Sequence, residues 1–339
     1  MTLKNPSVID KKLFRYIFLP THELSLIRIR VICGKKHQIS FSQNALGNCS
    51  VNFTRGKKRK RIKRKNYFSR PRAIFPGGRI KITFMKLTVL GSGTSVPHPL
   101  RSSSAYWLET GKGSLLLDCA ASAVHRMAEE KLDWAGLDAV WISHFHLDHA
   151  GGLAPFLFGT KYAPETRKRE KPLKIFGPEG LKKLLENFDA ANDYGLFEQP
   201  FPVEIIEVEP LEKFEILPGA EAVACKTPHT KESCALFIRD ESGKRLVYTA
   251  DTGVEKTLGA LARNVDLLVI ECSFVRDKPV EKHLELADAM YLVRMAEPKR
   301  VVLTHLYPEW DDVDFKSEVE KFSPGCEVIE ATDGLRLSI

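Results

Sequence analysis

The chain lacks several features that would set its class at once. Its 339 residues hold no C-x-x-C pair, no internal repeat and no apolar run near the roughly 20 residues a membrane span needs. Residues 13–31 begin apolar, but Arg15, Pro20, Glu23, Arg28 and Arg30 interrupt them, and no apolar core with a small-residue cleavage site follows. That excludes a readable signal peptide. The seven cysteines, at 33, 49, 119, 225, 234, 272 and 326, are scattered and odd in number. Reduced thiols in a cytoplasmic protein fit that pattern better than a disulfide framework.

Acidic residues are nearly absent from the first quarter. Residues 1–84 carry 21 Lys and Arg against two acids, Asp10 and Glu23. Of the 51 bases and 43 acids in the chain, 30 and 41 remain for residues 85–339, a net charge of −11 there. The run Lys57-Lys58-Arg59-Lys60-Arg61, then Lys63-Arg64-Lys65, cannot pack, because like charges repel and resist desolvation. Residues 1–84 are therefore expected to be a basic, disordered extension. As a native tail it would bind nucleic acid through residues 57–65. The competing expectation is that it lies outside the natural protein, since Met85 immediately precedes the first regular strand.

From residue 85 the text is regular, and 43% hydrophobic residues overall provide for a large core. Strands are expected at 86–90, 114–118, 139–143 and 173–176, with helices at 120–130, 151–162 and 178–188. The second half continues with strands near 203–208, 214–217, 221–226, 234–239, 245–249, 266–270, 301–304, 327–330 and 335–339. Helices are expected at 254–263 and 281–296, the latter with Leu284, Ala287, Tyr291 and Met295 as its apolar face. Runs of strands separated by helices fit two packed sheets with flanking helices.

The chemistry lies in residues 143–149, Ser-His-Phe-His-Leu-Asp-His. Three histidines and an aspartate within six positions are a dense set of ligands suited to Zn, Mn or Fe. His144 and His146, two apart on extended chain, share a side. Asp148 and His149, past the turn, are free to serve a second ion. The small Ala150-Gly151-Gly152 that follows suits a tight strand-to-helix turn.

This string resembles the signature of the metallo-β-lactamase superfamily, and the resemblance covers residues 85–339. It implies a four-layer αββα sandwich and three further ligands in the order His, Asp, His. His229 in Thr227-Pro228-His229, Asp251 in Tyr248-Thr249-Ala250-Asp251 and His305 in Leu303-Thr304-His305 each follow a short apolar run. By the resemblance, His144, His146 and His229 hold one divalent ion, most simply zinc, with Mn and Fe as alternatives. Asp148, His149 and His305 hold a second, and Asp251 bridges. Within the superfamily the likeness is to RNase Z-like phosphodiesterases. Leu90-Gly91-Ser92-Gly93-Thr94 looks like their first motif, Asp118 like an aspartate that orients a ligand histidine, Glu271 like their strand glutamate and His283 like an extra non-ligand histidine.

Three departures matter. Leu147 stands where tRNA-maturing members usually have glycine, and Ile270 where they have histidine. Only 21 residues separate His229 from Asp251, too few for a tRNA-clamping arm. With the acidic charge of residues 85–339, this points away from bulky tRNA and toward a small or single-stranded phosphodiester, such as a cyclic nucleotide or short RNA end.

The expected activity is hydrolysis through a metal-activated hydroxide, with Asp148, His283 and Glu271 as candidate catalytic residues. His283 would protonate the leaving oxygen and Glu271 fix its tautomer. A lactone, thioester or sulfate-ester hydrolase of the same fold remains the alternative, and a nucleic-acid-binding protein acting through the tail is a third reading. The resemblance further implies a homodimer, and no membrane is involved. His22, His37, His98 and His125 receive no role, and Arg167-Lys168-Arg169 is read as a solvated surface loop.

Overall fold

The computed structural model describes residues 85–339 and, within the extension, three strands. These are β1 (Ile27–Cys33), β2 (His37–Gln43) and β3 (Cys49–Arg55), paired antiparallel in sequence order. The alternation Ile27-Arg28-Ile29-Arg30-Val31 has the two-residue period suited to a strand. The basic run at 57–65 lies outside the described residues.

The chain divides into two compact units, Met1–Gly78 and Arg79–Ile339. The second holds two seven-stranded sheets. The first contains β4 (Lys86–Gly91), β5 (Ala105–Thr110), β6 (Gly113–Leu117), β7 (Ala139–Trp141), β8 (Leu173–Gly177) and β9 (Val203–Glu207), and is closed beside β4 by β17 (Arg336–Ser338). The second runs in chain order through β10 (Lys213–Leu217), β11 (Ala220–Lys226), β12 (Cys234–Arg239), β13 (Arg245–Tyr248), β14 (Leu267–Glu271), β15 (Arg300–Thr304) and β16 (Glu327–Glu330). Strands β6 to β9 pair in parallel, as do β13 to β16.

Alternation along each strand builds the layers. Leu115, Leu117, Ala139, Trp141 and Phe176 of the first sheet pack between the sheets against Leu236, Tyr248, Leu267, Val269 and Val302 of the second. The intervening residues Leu116, Val140 and Ile175 face outward, onto α1 (Ala123–Glu129), α3 (Leu153–Tyr162) and α4 (Leu181–Ala190). On the other side Val247, Leu268, Ile270, Val301 and Leu303 meet α6 (Leu286–Ala296), with Val319 of α7 (Phe315–Glu320) and Ala262, just beyond α5 (Lys256–Leu261), in the same cluster. This is the expected αββα sandwich, each sheet buried on both faces.

Two expectations are corrected. The helix expected over 281–296 begins at Leu286, where the Glu285 and Asp288 side chains form a capping box, so His283 lies in the preceding loop. Its buried face is Leu286, Ala289, Met290, Leu292, Val293 and Ala296, whereas Ala287 and Tyr291 are exposed. Two apolar stripes coexist in this helix, and the sheet selects one. Strand β5, between β4 and β6, was not anticipated. Its Ala-Tyr-Trp-Leu-Glu-Thr is buried on both faces, so it has little apolar–polar alternation. Gly91 ends β4 where a Cβ would stand 1.8 Å from the Ser103 carbonyl oxygen, so only glycine fits that approach.

Candidate metal centre

The carboxyl ends of β6, β7, β11, β13, β14 and β15 lie at one edge of the sandwich, and a candidate residue follows or ends each of them. Parallel strands deliver their carboxyl ends together, which is why residues far apart in sequence meet here. Past β7 the chain turns into α2 (Leu147–Ala150), with His146 in extended conformation as its N-cap. The turn is held by the Gly152 amide donating to the Cys119 carbonyl at 2.7 Å and the Cys119 amide donating to the His149 carbonyl at 2.6 Å. A Cβ at Gly152 would lie 2.2 Å from the Ala120 carbonyl oxygen, which explains the glycine.

All seven expected ligands come together. His144, His146, His229 and Asp251 offer ligand atoms within 4.8 Å of one another, as do Asp148, His149 and His305. Asp251 lies between the groups: its Oδ1 is 3.2 Å from His149 Nε2, and its Oδ2 is 3.4 Å from His305 Nε2 and 3.6 Å from His229 Nε2. His305 Nε2 is also 3.5 Å from Asp148 Oδ2, and His229 Nε2 is 3.0 Å from His146 Nδ1. His144, His149, His229, Asp251 and His305 are buried, while His146 and the 70% exposed Leu147 mark the open side.

The buried atoms His144 Nε2, His149 Nε2, His305 Nε2 and Asp251 Oδ1 have no hydrogen-bond partner. Four orphaned polar atoms facing one another are costly in a packed interior, and divalent cations would satisfy them together. The donor set, imidazole and carboxylate, fits zinc, manganese or iron.

The electrostatics follow from burial and neighbours. Burial, with His149 adjacent, pushes the His144 imidazole down to about 2. His229 is also lowered, chiefly by burial. Burial opposes charge on His149 too, but Asp251 and Asp118 outweigh it and hold that imidazole well above its ordinary value. Burial would raise Asp251, yet His149 and His305 hold it well below the usual carboxylate range.

The surrounding shell is dense. Asp118 is fully buried; its Oδ1 accepts from the Ser143 amide at 2.8 Å, and its Oδ2 from the Ser143 hydroxyl at 2.8 Å and the Tyr248 hydroxyl at 2.5 Å, and lies 2.7 Å from His149 Nδ1. His229 Nδ1 donates to the Lys282 carbonyl at 3.0 Å. Glu271 is buried, its Oε1 accepting from the Thr252 amide at 2.7 Å and lying 3.0 Å from His283 Nδ1. His283, with Asp251 and His305, offers a ring nitrogen within the same 4.8 Å limit, and Glu271 outweighs burial to hold its imidazole above the ordinary value.

Sequence reading missed the hydroxyls of Ser143, Tyr248 and Ser273 at this site; serine and tyrosine carry no signal without their neighbours in space. His98, left without a role, lies 2.7 Å from Asp311, and His125 pairs with Glu129 on α1. Arg169 is not a solvated charge. It donates to the carbonyls of Ala135, Leu137, Lys171 and Pro172 and lies over the Phe201 ring.

A family model described as "Anti-Pycsar protein Apyc1" matches residues 85–324. Ribonuclease Z of Archaeoglobus fulgidus is 25% identical over 276 residues, covering 65% of this chain and 87% of that protein. The probable metallo-hydrolase YhfI of Bacillus subtilis is 28% identical over 237 residues, covering 66% and 87%. The crystal structure of the metallo-beta-lactamase fold protein YhfI from Bacillus subtilis matches with a TM-score of 0.64, covering 76% of this chain and all of that one, at 25% identity.

Proposed function

The chain belongs to the Apyc1 family of anti-Pycsar proteins, and from the geometry of its site and its ribonuclease Z relatives we propose that it is a metal-dependent phosphodiesterase, RNase Z-like in its site, that cleaves a small or single-stranded substrate. One observation carries the reading: the buried Nε2 atoms of His144, His149 and His305 and Oδ1 of Asp251 face one another without partners. The ribonuclease Z relatives support hydrolysis of a phosphodiester over the other ester classes.

In this reading His144, His146 and His229 would hold one divalent ion, most simply zinc, and Asp148, His149 and His305 another, with Asp251 placed between the two groups. Bound there, the cations supply Lewis acidity toward a phosphoryl oxygen and bring the pKa of a water near neutrality. The chain's own residues do the rest. The exposed side at His146 and Leu147 admits the substrate. Glu271 accepts from Nδ1–H of His283 and favours its imidazolium form, whose Nε2–H gives the proton to the leaving oxygen. The acidic balance of residues 85–339 and the 21-residue interval after His229 favour a cyclic nucleotide or a short RNA end over folded tRNA. A cytoplasmic location belongs to the same reading, supported by five free thiols among the described residues. No helix among the described residues is long and apolar enough to cross a membrane.

The test is a substrate panel on the metal-stripped chain, restored with zinc or manganese. Bis(p-nitrophenyl) phosphate, cyclic nucleotides and short RNA should be cleaved, and lactone, thioester and sulfate-ester substrates should not. Turnover confined to the latter three would refute the phosphodiesterase reading.

A further inference from the structure

Two buried carboxylates face the histidine cluster, one from each sheet. Asp118 follows β6 and Glu271 ends β14, and both are at most 1% exposed. Each reaches two histidines, one directly and one through a serine. Asp118 Oδ2 lies 2.7 Å from His149 Nδ1; it also accepts from the Ser143 hydroxyl at 2.8 Å, and that Oγ lies 3.0 Å from His144 Nδ1. Glu271 Oε1 lies 3.0 Å from His283 Nδ1; its Oε2 accepts from the Ser273 hydroxyl at 2.6 Å, and that Oγ lies 2.9 Å from His305 Nδ1 and 3.3 Å from His283 Nδ1. Both serines are fully buried.

A hydroxyl has one proton to give. At 2.6 Å from a carboxylate oxygen, the Ser273 proton must lie on that contact, because two lone pairs would otherwise face each other. Ser273 Oγ then accepts, and the Nδ1–H of His305 is the donor. The proton on Nδ1 leaves a lone pair on His305 Nε2, one of the buried nitrogens without a partner. The same reasoning gives His144 a proton on Nδ1 and a lone pair on Nε2, also without a partner.

We propose that Ser273 and Ser143 are positioning residues that relay the charge of Glu271 and Asp118 to His305 and His144, fixing the tautomer in which each histidine binds a cation through Nε2. Glu271 then has two tasks, holding His283 directly and His305 through Ser273. The proposal rests on the metal-binding reading above. It accounts for why a strand-end carboxylate too distant to touch His305 still controls it.

Two measurements on the full chain test the relay. The first titrates zinc into the metal-free protein against a competing chelator. Ser273→Ala should weaken one of two bound ions about 10–100-fold while the other keeps its wild-type affinity. Ser143→Ala should do the same to the other ion, and the double variant should weaken both. The second needs no variant: two-bond 1H–15N spectra of the neutral imidazoles in the metal-free wild type should show His305 and His144 protonated on Nδ1. Wild-type zinc affinity in both serine variants, or Nε2-protonated His305 and His144, overturns the relay. A wild-type chain that binds no zinc overturns the metal-binding reading instead.

Discussion

Asp251 lies within 4 Å of ring nitrogens from His144, His149, His229 and His305. No other carboxylate near the cluster touches both ligand groups so evenly, so its removal should act on both at once. Asp251→Ala is expected to abolish metal content, read by elemental analysis, together with hydrolysis. His283 is different in kind, because its Nδ1 is held by Glu271 and the two groups formed by the seven candidate ligands do not include it. His283→Ala should lower kcat by about 10²–10⁴-fold, the usual worth of a general acid, with metal content unchanged. Metal loss in that variant would remove its assignment as proton donor.

At the scale of elements, the site depends on strand ends held in register and on helices that press the sheets together. Asp266, just before β14, accepts from the Arg245 amide of β13 at 2.9 Å and from the Lys299 ammonium at 2.7 Å, clipping three neighbouring strands. Burial would raise its pKa, but Lys299 and the Arg245 amide outweigh burial and hold it below the usual value. A carboxylate depressed in the folded state stabilises above its unfolded pKa, about 3.9, and that contribution disappears as pH falls through the folded value. Asp266→Asn should therefore cost about 1–3 kcal/mol at neutral pH. The gap in Tm between it and wild type should narrow in melts below about pH 4. Helix α6 offers a second check, since its sequence carries two apolar stripes. Met290→Ala should cost about 2–5 kcal/mol in denaturant unfolding, and Tyr291→Ala less than about 0.5. The reverse order would place the wrong face against β14 and β15. Backbone conformation is also specific here: Asp118, Ala250 and His305 have φ of 56°, 52° and 57°, left-handed values taken just past β6, β13 and β15. Such positions cost on the order of 1 kcal/mol for residues other than glycine and turn each chain sharply at the cluster.

For the whole molecule, the charge split at residue 84 is the dominant feature. The second unit, from Arg79, contains the core between its sheets, both flanking cores and every residue of the centre. Residues 85–339 alone are expected to keep the hydrolytic activity and a cooperative melt. Deleting 1–84 should leave kcat on bis(p-nitrophenyl) phosphate unchanged. Hydrolysis lost with the tail would show that the extension takes part in the site.

The sequence alone determined the fold class and the seven candidate ligands that meet at the centre. Ligand chemistry allows few residue types, and the 143–149 string packs four residues of two such types, His and Asp, into six positions. Strand alternation and helix periodicity are local, so most elements were legible from their own residues. What only the tertiary structure decided depends on neighbours distant in sequence. Strand β5, buried on both faces, has no pattern of its own. The face α6 buries was chosen by the sheet it meets. His283 fell in a loop because Glu285 and Asp288 cap the helix after it. The serine relays escaped notice because a hydroxyl acquires direction only from its partners. Ser273 meets Glu271 two residues away but His305 thirty-two away, and that second distance is closed only when β14 and β15 pair.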